Sequence, residues 1–213
     1  MTDTFQFLRL KACFLFFLSI LLTHSTAQAL DVSLIAPLTY SNYSVAEGVP
    51  SVSSTSQIGG GMGVTLGVGF FPFLSFETGL LNINHTFVNH VSISSANLTI
   101  HQTYSYHYWQ VPFLVRFTPI DALSVQAGAY YSKSISVSAQ SSQPIVLSLN
   151  QPALADDFGL LAGIGYRKKL SPFIKLRADL MYEYGLKKLP TGVDARLNTR
   201  SLDLWLGLMF DLI

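Results

Sequence analysis

The sequence predicts an all-β fold, an eight-stranded antiparallel up-and-down transmembrane β-barrel preceded by a cleaved signal peptide. Two observations support this prediction. Apolar side chains alternate with polar or small ones in eight segments, and the connections between those segments are alternately long and short. Successive side chains of a strand point to opposite faces, and outer-membrane barrels have short turns at one end and long loops at the other.

The N-terminus has the pattern of an export signal. Arg9 and Lys11 precede an apolar run at 12–22, and Ala27-Gln28-Ala29 matches the small-x-small site that signal peptidase cuts. The apolar run is shorter than the roughly 20 residues that a membrane-spanning helix needs. We therefore expect cleavage after Ala29.

Two segments follow from that cleavage, a signal peptide at 1–29 and one outer-membrane β-barrel domain at 30–213. The signal removes two of the 13 basic and one of the 12 acidic side chains, so the mature chain has no net charge. It also removes the single cysteine, which excludes disulfide chemistry. Charged residues make up 12% of the chain, against about a quarter in soluble domains, and no basic excess predicts binding to nucleic acid.

The predicted strands and connections alternate regularly. We place the strands at 31–40, 57–71, 74–88, 104–118, 122–136, 156–169, 173–186 and 200–212. The short turns are Pro72-Phe73, Thr118 to Asp121 and Leu170 to Pro172, and the long connections are 41–56, 89–103, 137–155 and 187–199. This order puts both termini at the end with the short turns, which faces the periplasm in such barrels.

The second and fourth strands each have one apolar face. The second strand turns outward Met62, Val64, Leu66, Val68 and Phe70, and its inward face is mostly glycine. The fourth strand turns outward Trp109, Val111, Phe113, Val115 and Phe117, and inward Tyr108, Gln110, Pro112, Leu114 and Arg116. The outward rows are the lipid-facing positions that a membrane barrel requires.

The last three strands separate charge from hydrocarbon. The sixth strand turns outward Phe158, Leu160, Ala162, Ile164 and Tyr166. The seventh turns outward Ile174, Leu176, Ala178, Leu180 and Tyr182, and inward Lys175, Arg177, Asp179, Met181 and Glu183. The last strand turns outward Leu202, Leu204, Leu206, Leu208, Phe210 and Leu212. Charges on the inward face favour a barrel over a soluble β-sandwich, whose exterior would be richly charged.

The inward charges predict a salt-bridged plug instead of a pore. The interior of an eight-stranded barrel is just filled by its own side chains. The predicted lumen charge network comprises Glu77, Arg116, Lys175, Arg177, Asp179, Glu183 and Asp203. In one plausible register of the hairpin 74–118, Glu77 lies opposite Arg116.

Aromatic side chains near the strand ends predict a girdle at the membrane interfaces, where Tyr and Trp are enriched. The predicted interfacial aromatics are Tyr108, Trp109, Tyr166, Tyr182 and Tyr184, and Tyr104 and Tyr106 fit the same pattern.

Three segments resemble the small outer-membrane β-barrel domain family of porin-like or PorT-like eight-stranded barrels. Residues 108–117 resemble its aromatic-x-x-(Ile/Val)-Pro-(Leu/Phe)-x-x-(Lys/Arg)-aromatic strand, 157–166 its Asp-Phe-Gly and Gly-x-Gly-aromatic strand, and 182–186 its Tyr-x-(Tyr/Phe)-Gly-Leu strand end. The resemblance implies the barrel fold, outer-membrane lipid surroundings and recognition by the assembly machinery, without an assigned substrate. The C-terminal Ile213 departs from the aromatic residue that usually ends such barrels.

Four histidines lie in one predicted hairpin, but they do not predict a metal centre. By parity His85 faces the lumen, His107 faces lipid, and only His90 and His101 can face one another without a bulge. Two ligands do not make a closed zinc site, which normally takes four. We expect neither a metal nor another cofactor.

A structural or loop-mediated binding role is favoured over catalysis. The alternatives are a small-solute channel and a lipid-modifying enzyme, since His90-Val91-Ser92 resembles the His-x-Ser of lipid A deacylases. However, Ile93 replaces the family's asparagine and no orienting carboxylate is evident. The loop cations have two interpretations, solvated loop charge, which is favoured, and contact with lipopolysaccharide phosphates; they are Lys187, Lys188, Arg196 and Arg200. The oligomeric state does not follow from the sequence.

Overall fold

A computed structural model describes residues 29–45, 52–93, 98–141, 156–186, 189–190 and 196–212. Apart from Ala29, which begins the first strand, the predicted signal peptide lies outside these residues. The strands are β1 Ala29–Val45, β2 Val52–Ser56, β3 Ile58–Phe71, β4 Leu74–Ile93, β5 Leu98–Ile120, β6 Leu123–Ser141, β7 Asp157–Lys169, β8 Ile174–Gly185, β9 Leu189–Pro190 and β10 Arg196–Asp211. No helix in these ranges is long and apolar enough to span a membrane.

The sheet closes on itself. Eight long strands pair antiparallel with their neighbours, and β1 pairs with β10 from Asp31 opposite Asp211 to Val45 opposite Leu197. The two short strands are additions at one end, where β2 pairs with β4 and β9 pairs with β10. Because a sandwich would leave β1 and β10 as separate edges, this pairing confirms the predicted eight-stranded barrel.

The two faces of each strand differ as the alternation predicts. Outward side chains such as Leu34, Leu160 and Leu206 are 51%, 51% and 41% exposed, whereas Trp205 and Met181 are fully buried inside. Exposed hydrocarbon of this extent suits lipid and not water. The apolar belt therefore lies on the outside of the barrel, and the polar and charged rows lie inside.

The strands are longer than the sequence predicts at the end with the long connections. The predicted loop 89–103 is mostly strand, because β4 and β5 stay in continuous register from Asn84 opposite His107 to Ile93 opposite Leu98. Here the outward positions are polar, so the hydrophobic alternation stops while the backbone ladder continues. For the same reason β1 continues to Val45 and β6 continues to Ser141, beyond their predicted ends.

The opposite end has tight turns. One turn is at Pro72 and Phe73, as predicted, and the second is at 121–122, late in the predicted segment 118–121. The third contains Ser171, whose Oγ accepts hydrogen bonds from the backbone N–H groups of Phe173 and Ile174 at 3.3 and 3.1 Å. We call this the short-turn end and the other the long-loop end.

An apolar plug fills the middle of the lumen. Its members come from seven strands and are at most 4% exposed: Ile35, Leu81, Ile83, Leu114, Tyr130, Leu161, Met181 and Trp205. The inward glycines of β3 make room for them, since Leu81 packs directly over Gly63. The plug separates the polar side chains near the short turns from those near the long loops.

Candidate functional site

An ion cluster lies between the apolar plug and the short-turn end. Glu77 is its centre: Arg177 Nη1 donates to Glu77 Oε1 at 2.7 Å, and Arg116 pairs with the other carboxylate oxygen. Arg177 also pairs through Nε with Asp179. Glu77, Arg177 and Asp179 are fully buried and Arg116 nearly so, so these ion pairs are shielded from water.

Longer contacts and hydroxyl groups complete the ion cluster. Asp31 lies 3.9 Å from Arg116, and Arg167 lies 3.9 Å from Asp179. Further hydrogen bonds connect Arg177 with Ser33 and Thr65 at 3.3 and 3.2 Å, and Arg167 with Ser124 at 2.9 Å. The six charged residues are Asp31, Glu77, Arg116, Arg167, Arg177 and Asp179. Three carboxylates balance three guanidinium groups, as a buried ionic group requires.

The register within the hairpin differs from the one considered in the sequence analysis. Glu77 lies opposite Leu114, and Arg116 lies opposite Ser75. All four side chains share the inward face, so the Glu77–Arg116 ion pair is diagonal, a separation that long side chains can bridge. A shift of two residues preserves every face assignment, which is why parity did not distinguish the two registers.

The remaining residues of the predicted network lie elsewhere. Lys175 pairs with Asp211 at 2.8 Å near the short-turn rim, where both side chains are partly exposed. Glu183 and Asp203 are buried on the long-loop side of the plug. Among the described residues, the ion pairs of the lumen arginines do not reach either of these two carboxyl groups.

Glu183 and Asp203 form a carboxyl pair connected by neutral groups. Gln110 Nε2 donates to Glu183 Oε1 at 2.7 Å. The Ser201 hydroxyl lies 3.2 Å from Glu183 Oε2 and 3.3 Å from Asp203 Oδ2. One hydroxyl proton can serve only one of these oxygens at a time. The pair is therefore an acidic layer in the lumen, distinct from the balanced ion cluster.

The predicted aromatic girdle divides between the two faces. Trp109, Tyr166 and Tyr182 are exposed on the outer surface, and Tyr184 is half-buried with Arg200 5.5 Å from its ring centre. Tyr108 does not belong to the girdle, because its inward phase buries it to 3% exposure.

Tyr108 belongs to an aromatic stack inside the long-loop end of the barrel. Ring centres are 5.4 Å apart for Phe87 and Tyr104, 5.7 Å for Phe87 and Tyr106, and 6.1 Å for Tyr106 and Tyr108. Tyr104 and Tyr106 are therefore stacking residues instead of interfacial ones. Aromatic rings therefore line the interior of the barrel at its long-loop end.

Two members of the ion cluster were missed by the sequence analysis although parity identifies them. Asp31 shares the inward phase of Ser33 and Ile35, and Arg167 follows the outward Tyr166. Their positions at strand ends, where boundaries are uncertain, hid the signal. Parity gives the face of each side chain, but it does not give the height along the barrel axis at which side chains from different strands meet.

The histidines occupy the positions that parity predicts. His85 is buried with Ser41 Oγ 2.6 Å from its Nδ1, and His107 is on the outer face. His90 lies directly opposite His101, with ring centres 4.7 Å apart and ring planes at 89°. No group of three or more metal-ligating side chains occurs among the residues that the structure describes.

Of the deacylase-like motif, the structure describes the side chain of His90. His90 Nε2 lies 3.0 Å from Thr55 Oγ1, so its ring contacts a hydroxyl of β2 and the ring of His101. The backbone of Ser92 pairs with Thr99, and its side chain lies outside the described residues.

Comparison with solved structures identifies the fold. OprG of Pseudomonas aeruginosa, an outer-membrane protein, superposes with a TM-score of 0.56 at 11% identity, over 86% of this chain and 95% of that one. Ail of Yersinia pestis has a TM-score of 0.48 at 14% identity, over 86% and 98% of the chains, and Neisserial surface protein A a TM-score of 0.46 at 18% identity, over 85% and 96%.

No family model and no curated protein matches the sequence. At this identity the likeness to OprG concerns the fold alone. The chain has the fold of the small outer-membrane β-barrels, and the narrower PorT-like assignment gains no support.

Proposed function

We propose that the chain is an integral outer-membrane β-barrel with a sealed lumen, and that its role is structural or is binding at the long-loop end, without catalysis. The apolar plug is the observation that supports this most directly. A solute crossing the barrel would have to displace side chains that are at most 4% exposed, with the balanced ion cluster behind them.

The proposed location rests on the outer surface and on the export pattern of the N-terminus. With the short turns in the periplasm, the long-loop end faces the outside of the cell. There Arg200 is exposed beside the Tyr184 ring, and exposed Lys133 lies opposite Trp109. Cations beside interfacial aromatics suit lipopolysaccharide phosphates, so we propose outer-membrane lipid and lipopolysaccharide as surroundings and the assembly machinery as the partner during biogenesis.

The test is conductance in planar bilayers, with outer-membrane fractionation and heat-modifiable gel migration to establish a folded barrel. The wild-type protein is expected to pass no steady current of porin size. A plug variant carries alanine at Leu81, Met181 and Trp205, and a matched control carries alanine at the outward Leu80, Leu180 and Leu204. Only the plug variant should conduct. A steady porin-sized current through the wild type would contradict the sealed lumen.

A further inference from the structure

The long-loop end presents two imidazole rings in a directly opposed cross-strand pair. His90 of β4 and His101 of β5 are register partners, and directly opposed residues in an antiparallel pair have Cβ atoms about 4.5–5.5 Å apart. Both side chains are accessible: His101 is exposed and His90 is half-buried. The pair lies on the outer face, beyond the apolar belt.

Although the sequence predicts no metal centre, the observed pairing leads us further: we propose that His90 and His101 form an open binding site for one imidazole-preferring transition-metal ion, with Cu²⁺ and Zn²⁺ as the expected cations. It deepens the proposed function because it names a ligand class for the long-loop end. Imidazole suits zinc and copper, whereas calcium and magnesium prefer oxygen ligands. Solvent completes the coordination, as in other open sites.

The ring separation fits such an ion. A metal lies about 2.0–2.1 Å from each imidazole nitrogen, so two rings that share an ion at angles between a right angle and a tetrahedral one have centres about 4.5–5.2 Å apart. The observed separation is 4.7 Å. The strands thus hold the rings at the required distance, and rotation of the rings would direct one nitrogen of each toward the ion.

Thr55 gives the site a positioning residue. Its Oγ1 lies 3.0 Å from His90 Nε2, and β2 is held in place by pairing with β4. Metal-binding histidines almost always donate their other ring N–H to an oxygen, which sets the tautomer and the ring orientation. When His90 donates its Nε2–H to Thr55, its Nδ1 lone pair is available to the metal.

The experiment is titration of the folded barrel in detergent with CuCl₂ or ZnCl₂ by isothermal calorimetry. We expect one ion per chain, copper bound more tightly than zinc, and no heat from MgCl₂ or CaCl₂. His90→Gln and His101→Gln should each weaken binding at least tenfold. His107→Gln is the matched control, because His107 lies on the outer face of β5 opposite Asn84 and outside the pair, and it should leave the affinity unchanged.

A spectroscopic readout separates chelation by the pair from binding to single histidines. Electron paramagnetic resonance of the Cu²⁺ complex should show coupling to two imidazole nitrogens, reduced to one in either His→Gln variant. Thr55→Val should weaken binding a few-fold while both couplings remain. Unchanged affinity in His101→Gln, equal loss in His107→Gln, or no binding to the wild type would overturn the metal site. None of these outcomes alters the conductance result on which the sealed barrel depends.

Discussion

Replacing Arg177 tests whether the ion cluster stabilises the barrel. This side chain is fully buried and contacts Glu77, Asp179 and two hydroxyl groups. After Arg177→Met, Glu77 keeps Arg116, and among the described residues the ion-pair partner left to Asp179 is Arg167 at 3.9 Å. Removing one partner of a buried ion pair costs about 3–5 kcal/mol, so we expect a loss near the lower end of that range, about 3 kcal/mol.

Lys175→Met is the matched control, two positions away on the same face of β8. Its ion pair with Asp211 joins side chains that are 32% and 26% exposed, and such pairs contribute about 0–1 kcal/mol. A double variant, Arg177→Met with Asp179→Asn, should recover about 1–3 kcal/mol, because the second change removes the carboxylate left without its nearest cation.

The measurement is reversible urea unfolding in lipid vesicles, followed by tryptophan fluorescence and checked by heat-modifiable migration. Trp205 is buried in the plug next to the ion cluster, so its emission reports loss of the interior. If Arg177→Met unfolds at the same urea concentration as Lys175→Met, the buried ion cluster does not stabilise the barrel.

Three further predictions concern packing, orientation and charge. Gly165→Ala should lower the free energy of unfolding by about 1–3 kcal/mol, because the added Cβ enters the ion cluster. Gly60→Ala should lower it by less, since the atom nearest to a Cβ there is 3.4 Å away, and equal effects would contradict the packing. Brominated lipid should quench the fluorescence of Trp109, which is 44% exposed on the outer face, and should not quench that of the lumenal Trp205. Single Trp→Phe variants separate the two signals, and the reverse result would contradict the assigned faces. Asp203→Asn should be neutral or stabilising at pH 7 in urea unfolding, because an amide beside Glu183 cannot ionise and so cannot repel its carboxyl group; a loss above about 2 kcal/mol would argue against this.

The amino-acid sequence predicts the faces of the strands well and the contacts between strands poorly. The inward phase of Arg177 and Asp179 and the outward phase of Leu180 follow from a period of two, which is local. The residue opposite Glu77 does not follow from this period, since a register shift of two residues preserves the alternation of faces. Tyr108 shows a different limit, because its residue type suggested the membrane interface while its phase, which is correct, places it in the lumen.

Alternation, turn spacing and low charge are properties of the chain itself, and they determined the strand number, the face of each side chain and the barrel class. The tertiary structure decided depth and register. Closure between β1 and β10 sets the height at which each inward residue stands, and only then do Asp31 and Arg167 join the ion cluster while Glu183 and Asp203 stand apart across the plug. Residues distant in sequence meet because closure is a property of all eight strands together, which no local pattern encodes.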